Sequence, residues 1–172
     1  MALVLIKEDG TAKTDANAYA DAADGNAYFE GHLYATAWTA ATAGQKDAAL
    51  VMASRVIDAE YQFHGKRVSE SQALQWPRYD CPDPDGAGEL ASDKVPAAVV
   101  KATCELAKEL LLVDRTAAPL GQGILEQHNA DYSATVYSKK DTRQIIPDLV
   151  QAMLARLGDL IRKGTVARLQ RA

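Results

Sequence analysis

Alanine makes up 32 of the 172 residues of this chain, whereas phenylalanine and tryptophan contribute only two residues each. Alanine has the highest intrinsic helix propensity, so the composition favours helices with thin, alanine-lined packing faces. The length lies within the roughly 100–200 residues expected of one domain. No stretch approaches the about 20 consecutive apolar residues that a membrane-spanning helix needs. We therefore expect one mainly α domain and no membrane partner.

Apolar residues recur with helical periodicity in four segments, which predicts about four helices. The first runs from about 22 to 33, the second from 42–44 to 61, the third from Pro96 to Val113 and the fourth from Pro147 to Leu160. Proline suits the first turn of a helix, where its missing N–H costs nothing. The predicted fold class is mainly α: a small helical bundle of about four helices, with an extended arm or β-hairpin before the last helix.

The spacing of the apolar residues changes between the third and fourth predicted helices. Ala130, Tyr132, Ala134 and Val136 alternate with polar residues, which is the period of two expected of a half-buried strand. This alternation predicts an extended arm at about 122–140 within a domain of residues 1–161. The last segment, 162–172, contains four basic residues and no acid, and it forms a basic C-terminal tail in this prediction.

The overall charge is acidic, with 19 Lys and Arg residues against 23 Asp and Glu residues and a net charge of −4. A protein that grips a phosphate backbone needs the opposite sign. Residues 79–95 hold five of the acids, but their register does not match a calcium-binding loop. We interpret this segment as a surface loop.

The sequence contains no recognisable catalytic or cofactor motif. The three histidines lack the i, i+3 or i+4 spacing of metal ligands, and Gly86-Ala87-Gly88 lacks the strand-then-helix context of a dinucleotide site. The two cysteines show no framework spacing, which fits a reducing compartment such as the cytoplasm. The first ten residues include acids and no basic segment typical of a secretory signal. We expect no enzyme activity, no cofactor and no metal.

Several segments together resemble a known family. They include 21–29 (DAADGNAYF), the helix 45–61, the segment 73–78 (ALQWPR), the helix start 95–99 and the helix start 146–149. Across residues 17–161 they resemble the head-to-tail adaptor proteins of tailed bacteriophages, also called connector or head-completion proteins and sometimes labelled DnaT-like. The most specific segment is Ala-Leu-x-Trp-Pro-Arg.

The resemblance implies a structural virion protein that forms an oligomeric ring, usually twelve-fold, between the portal and the neck or tail. Its expected partners are the portal protein, neighbouring copies of itself, the next neck or tail protein, and double-stranded DNA that passes through the channel without specific binding. Its expected location is the head-tail interface of the virion, and the host cytoplasm during assembly.

The resemblance also assigns roles to residues. Portal binding falls on Arg162, Lys163, Val166, Arg168, Leu169 and Arg171 of the tail. Subunit contacts fall on Ile124, Leu125, Tyr132, Val136 and Tyr137 of the arm. Trp76, Pro77 and Arg78 are expected to fix a corner of the fold, although Trp76 alone could equally be an ordinary core residue.

A single-stranded nucleic-acid-binding module is the alternative function. Such a module needs aromatic side chains that stack on bases beside a basic groove. The residues that could supply one are Tyr61, Phe63, Lys66, Arg67, Trp76 and Arg78.

Overall fold

The structure is a computed structural model that describes residues 3–86, 88–117, 126–128, 134–136 and 143–161. The described residues form five helices: α1 (Ala22–Phe29), α2 (Thr36–Ala40), α3 (Ala43–Glu60), α4 (Ala97–Leu112) and α5 (Asp148–Leu154). They also form six short strands: β1 (Tyr61–Phe63), β2 (Lys66–Arg67), β3 (Arg78–Tyr79), β4 (Glu126–His128), β5 (Ala134–Val136) and β6 (Gly158–Leu160). The strands pair as three two-stranded antiparallel sheets, β1–β6, β2–β3 and β4–β5.

The fold class predicted from the sequence is wrong. The described residues form a small mixed fold of helices and short sheets, and not a helical bundle of about four helices. The predicted fourth helix ends at Leu154, and Gly158–Leu160 forms β6 instead. A Cβ atom on Gly158 would lie only 2.5 Å from the carbonyl oxygen of Gln62. Glycine therefore permits the close backbone approach of β6 to β1, which helical periodicity could not reveal.

Side-chain caps define where two of the helices begin. Asp21 accepts a hydrogen bond from the backbone N–H of Asp24, whose side chain in turn accepts one from the backbone N–H of Asp21. Thr42 and Gln45 make the same reciprocal pair at the start of α3. Each pair satisfies backbone donors that a helix leaves free in its first turn.

The core lies between α3 and α4. Leu50 and Ile57 of α3 are fully buried, as are Val99 and Leu106 of α4. Helix α4 also contacts α1, α2 and α5, which makes it the central helix of the domain. Its high apolar content matches this position.

Helix α2, which the sequence did not predict, places Trp38 in the core, where the side chain is 1% exposed. The indole packs on Gly25 in the middle of α1 and on Phe29, whose ring centroid is 5.2 Å away. A Cβ atom on Gly25 would lie 2.3 Å from the Cζ2 atom of Trp38. The glycine that weakens α1 intrinsically is therefore what allows α2 to pack against it.

Strands β4 and β5 lie within the segment 122–140, where the sequence predicts an arm. Their register pairs Glu126 with Val136 and His128 with Ala134. Among the described elements these two strands contact chiefly each other. In the described ranges, no helix is long and apolar enough to cross a membrane.

Candidate functional site

The segment 73–78, the most specific part of the resemblance, forms a corner around the side chain of Arg78. Arg78 Nε donates to the carbonyl oxygen of His64 at 2.7 Å, and Nη1 donates to that of Gln75 at 3.1 Å. Nη2 donates to the carbonyl oxygens of Phe63 at 3.2 Å and Gly65 at 2.7 Å. The guanidinium thus joins the turn after β1 to the start of β3. Its planar fork is suited to such a set of acceptors, whereas a lysine ammonium is not.

Trp76 lies directly behind this arginine and is fully buried. Its ring meets that of Phe63 edge-on, with the centroids 5.5 Å apart, and the peptide bond between Trp76 and Pro77 is cis. The structure therefore places Trp76, Pro77 and Arg78 at a turn that joins two strands. Trp76 fills the core there.

A tyrosine and an aspartate support the same corner from the side of α3. The hydroxyl of Tyr19 accepts hydrogen bonds from the backbone N–H groups of Gln75 (2.9 Å) and Trp76 (3.3 Å). It donates to the carboxylate of Asp58, which also accepts the Gln75 N–H at 3.1 Å. Burial raises the pKa of Asp58 to about 6 and contributes most to raising the pKa of Tyr19 well above its usual value.

The aromatic residues of the nucleic-acid alternative do not form a stacking platform. Tyr61 and Phe63 are each 3% exposed and stack on each other, and Trp76 is inaccessible to solvent. A base cannot reach these ring faces without opening the core. The sequence offers these aromatic side chains for a platform beside a basic groove, and the structure places their rings in the core instead.

The basic residues of that alternative are also largely engaged within the fold. Arg67 donates to the carbonyl oxygen of Gln72, and Arg78 is 7% exposed with its donors directed at backbone carbonyls. Lys66 is the exposed member, and its ammonium lies 3.5 Å from Asp80. The six residues do not constitute a basic groove.

Two arginines hold the base of the arm together. Arg115 precedes the arm, and its Nε and Nη2 atoms donate to the carbonyl oxygens of Ile145 and Gln144, both at 3.0 Å. Arg143 follows the arm, and its Nη2 donates to the carbonyl oxygens of Asp114 at 2.6 Å and Ala117 at 3.0 Å. We call this reciprocal pair of arginines the clasp. It holds residues 114–117 close to residues 143–145, on the two sides of the predicted arm.

An open apolar groove of about 630 Å³ lies beside the clasp along the outer face of α3. Its lining includes the apolar residues Leu3, Val51, Met52, Val56, Ala59 and Ile145. Val51 and Val56 are buried and form its floor, while Ala59 is exposed at its edge. Its volume is in the range of sites that hold a ligand or a short segment of chain.

A buried charged pair on α4 is fully compensated. Glu105 and Lys108 are 3% and 7% exposed and form an ion pair with each other. The hydroxyl of Tyr28 donates to the Glu105 carboxylate at 3.4 Å, and His32 Nε2 lies 3.7 Å from it. Burial, with the nearby carboxylate, raises the pKa of Tyr28 to about 12. Because each charge has a partner, the cluster is suited to a structural role.

Neither cysteine of the described chain is placed for chemistry. Cys81 and Cys104 are both fully buried, and burial raises the pKa of the Cys104 thiol to about 12. A thiol in this state is not a nucleophile, since the thiolate is the reactive form. Within the ranges that the structure describes, no group of three or more His, Cys, Asp or Glu side chains is arranged to hold a metal ion.

The predicted partner-binding residues fall mostly outside the described residues. This applies to all of the predicted portal-binding positions, Arg162, Lys163, Val166, Arg168, Leu169 and Arg171, and to Ile124, Leu125, Tyr132 and Tyr137 of the arm. Val136 is described at the level of its backbone, which pairs with Glu126. These assignments stay predictions.

The residues that sequence reasoning missed act through backbone atoms. Arg115, Arg143, Tyr19 and Asp58 bind main-chain groups many positions away. Carbonyl and N–H groups are common to nearly every residue, so no side-chain pattern marks their partners. The only available signal was that Arg115 and Arg143 flank the predicted arm.

Comparisons with known proteins give one family. A comparison with curated proteins yields no match, and a comparison with solved structures yields none either. One family model, described as "Putative DnaT-like ssDNA binding protein", matches residues 1–172, the whole length of the chain. This match agrees with the DnaT-like label and does not extend to the adaptor resemblance. The chain belongs to this DnaT-like family.

Proposed function

We propose that this protein is a structural subunit of the head-to-tail connection of a tailed bacteriophage. In this proposal, copies of the chain assemble into a ring, usually twelve-fold, that joins the portal to the neck or tail and continues the DNA channel. The arm contacts neighbouring copies, the basic tail binds the portal, and the subunit carries out no catalysis.

The observation that carries this proposal is the clasp at the base of the arm. Arg115 and Arg143 use several hydrogen bonds to hold the two ends of the segment 118–142 beside each other. Beyond the clasp, β4 and β5 pair chiefly with each other. A hairpin that is anchored at its base by side-chain hydrogen bonds is suited to binding another subunit.

The charge of the chain also supports the proposal. A channel must let duplex DNA slide, and many Lys and Arg contacts would retain the phosphate backbone. A net charge of −4 suits a conduit better than a clamp.

Single-stranded-DNA binding is the second candidate function, and the family description favours it. The geometry gives it less support, because Tyr61, Phe63 and Trp76 are buried in the core. A binding surface would have to use other residues, such as exposed Lys66 beside Tyr79, whose ring centroid lies 5.8 Å from the ammonium. One such pair is less than the series of stacking sites that a single-strand binder uses.

Light scattering behind a sizing column tests the adaptor proposal with the full chain, alone and mixed with the portal of the same phage. We expect a portal-bound ring in the mixture. Removal of 162–172 should abolish portal binding, and replacement of 122–140 by a short Gly-Ser linker should abolish the ring. Both variants should keep the helical circular dichroism of the full chain, which separates lost binding from lost folding.

Fluorescence anisotropy with a labelled thirty-nucleotide oligothymidylate tests the second candidate at physiological salt. A mass that stays near 18.5 kDa with the portal, together with sub-micromolar affinity for the oligonucleotide, would overturn the adaptor proposal. A portal-bound ring without oligonucleotide affinity would overturn the second candidate instead.

A further inference from the structure

The apolar groove along α3 has a volume of about 630 Å³ and lies open to solvent. Met52 and Ala59 line it on α3, above a floor formed by Val51 and Val56, and Leu3 lines it from the N-terminal segment. Leu3 is 47% exposed. When another chain segment covers apolar surface that faces water in this way, the free energy of the system falls, so covering is favourable.

The path of the chain at Ile161 indicates which segment that is. The backbone N–H of Ile161 donates to the carbonyl oxygen of Glu60 at 2.7 Å, and Glu60 is itself one of the residues that line the groove. The described chain therefore ends at the rim of the groove, with residues 162–172 still to follow.

The direction of the chain at this point favours entry into the groove. Strand β6 is antiparallel to β1, with Leu160 opposite Tyr61. Because β1 continues directly from α3, the chain that follows β6 leaves toward the C-terminal end of α3 and not away from it. The groove extends from there along α3 to Ala48.

The length of the segment 162–172 is close to that of the groove. From Glu60 back to Ala48 the helix advances by twelve residue steps, or about 18 Å at 1.5 Å per residue. The eleven residues 162–172 span about 16 Å as a helix and up to about 36–40 Å when extended. As a helix the segment covers most of the groove, and in an extended conformation it reaches the far end.

The composition of this segment supplies apolar side chains at a usable spacing. Val166 and Leu169 are three positions apart, which places them on one face of a helix, with Arg168 and Arg171 on the opposite side in water. Arg162 and Lys163 precede this apolar pair at the start of the segment, where their long side chains can extend their charged ends into water. We propose that residues 162–172 dock in the α3 groove of their own subunit, with Val166 and Leu169 against Met52 and Ala59. This inference does not require the adaptor function. Under that function, the groove and the portal compete for the same segment.

Disulfide trapping in the full chain, without portal, tests this docking. The variant carries Met52→Cys and Leu169→Cys, and the matched control carries Leu33→Cys and Leu169→Cys. Leu33 is 90% exposed and does not line the groove, while the native Cys81 and Cys104 are buried in both variants. We expect an intramolecular disulfide in the first variant that forms at least tenfold faster than in the control, measured by intact mass under mild oxidation.

Three other outcomes are possible in this trapping experiment, and each would overturn the proposal. A disulfide-linked dimer would assign the groove to a second copy. Faster trapping of Met52→Cys with Tyr132→Cys than with Leu169→Cys would assign it to the arm. Equal rates of disulfide formation in the variant and the control would show that residues 162–172 do not dock in the groove.

Trypsin cleavage after Arg168 gives a second measurement that needs no added cysteine. Ala59→Lys places a positive charge at the edge of the groove, where residue 59 is exposed, and this charge repels the four basic residues of the segment 162–172. We expect several-fold faster cleavage in this variant than in the unmodified chain, and equal cleavage would contradict the docking. Because both measurements omit the portal, their failure is distinguishable from failure of the adaptor proposal.

Discussion

Arg115 lies before the arm and binds the chain that follows it, whereas Arg143 lies after the arm and binds the chain that precedes it. Arg115 donates to the carbonyl oxygens of residues 144–145, and Arg143 donates to those of Asp114 and Ala117. Each arginine therefore closes the gap between the two ends of the arm from the opposite side. Arg115 also pairs with Glu109 of α4, whose carboxylate is 3.2 Å from its Nη1, so the clasp is anchored to the central helix.

Loss of this clasp should open the base of the arm without unfolding the domain. In Arg115→Ala we expect trypsin to cleave after Arg143, which lies at this base, about 5–30-fold faster, because the lost hydrogen bonds contribute about 1–2 kcal/mol to the closed base. Arg156→Ala is the control, since Arg156 pairs with Asp85 at an exposed site away from the arm. Equal cleavage of the two variants would remove the clasp as an anchor.

Replacement of Gly25 tests the packing of α2 on α1. In an exposed helix, Gly→Ala stabilises by up to about 1 kcal/mol. Here the added Cβ meets the ring of Trp38, so we expect Gly25→Ala to lower the free energy of unfolding by about 1–3 kcal/mol. Gly44→Ala in the first turn of α3 is the matched control, because its Cβ meets no atom within 4 Å. Urea unfolding of both variants is the measurement, and a stabilised Gly25→Ala would contradict the packing.

Asp58 should make stability depend on pH between about 4 and 6. Its pKa rises from 3.8 to about 6 in the folded state, so the unfolded chain ionises first as the pH increases. Asp58 therefore stabilises the fold most below about pH 4, where it is protonated in both states. As the pH rises from 4 to 6, the free energy of unfolding falls by up to about 3 kcal/mol.

Asp58→Asn removes this titration while it keeps a neutral side chain of similar shape. We expect the difference in free energy of unfolding between the native chain and this variant to change across pH 4–6 and to stay constant above pH 7. Because the same buffers act on both proteins, other titrating groups cancel. A difference that is flat over the whole range would show that Asp58 titrates normally in the fold.

Arg78 should contribute to the stability of the fold and not to a surface interaction. Arg78→Lys removes most of the hydrogen bonds to backbone carbonyls at the corner and leaves buried acceptors without donors. We expect the free energy of unfolding to fall by about 2–4 kcal/mol. Lys66→Gln is the control, because the Lys66 side chain is 69% exposed and its loss should change stability by no more than about 0.5 kcal/mol. Chemical denaturation of both variants decides the matter, and equal stabilities would refute the structural role.

Local signals in the sequence located the two long helices. The second predicted helix, from 42–44 to 61, corresponds to α3 (Ala43–Glu60), and the third, from Pro96 to Val113, corresponds to α4 (Ala97–Leu112). Periodic burial and the capping residues specify such elements within one segment of chain. The reciprocal cap of Asp21 and Asp24 at the start of α1 is a local signal of the same kind.

Short elements depended on distant partners and were missed or misassigned. Helix α2 holds Trp38 only because Gly25 leaves space for the ring. Leu160, which continues a helical pattern, lies in β6 because the strand pairs with β1 nearly a hundred residues earlier. For segments of three to five residues, the energy of tertiary pairing outweighs local propensity.

The sequence by itself determined the positions of the two long helices, α3 and α4, from their apolar periodicity. Only the tertiary structure decided that Arg78 and Trp76 are internal and that Arg115 and Arg143 close the arm. The physical reason is that these side chains bind backbone carbonyl groups or fill space between elements. Every residue offers such carbonyl groups, so a partner is selected by three-dimensional position and not by residue type.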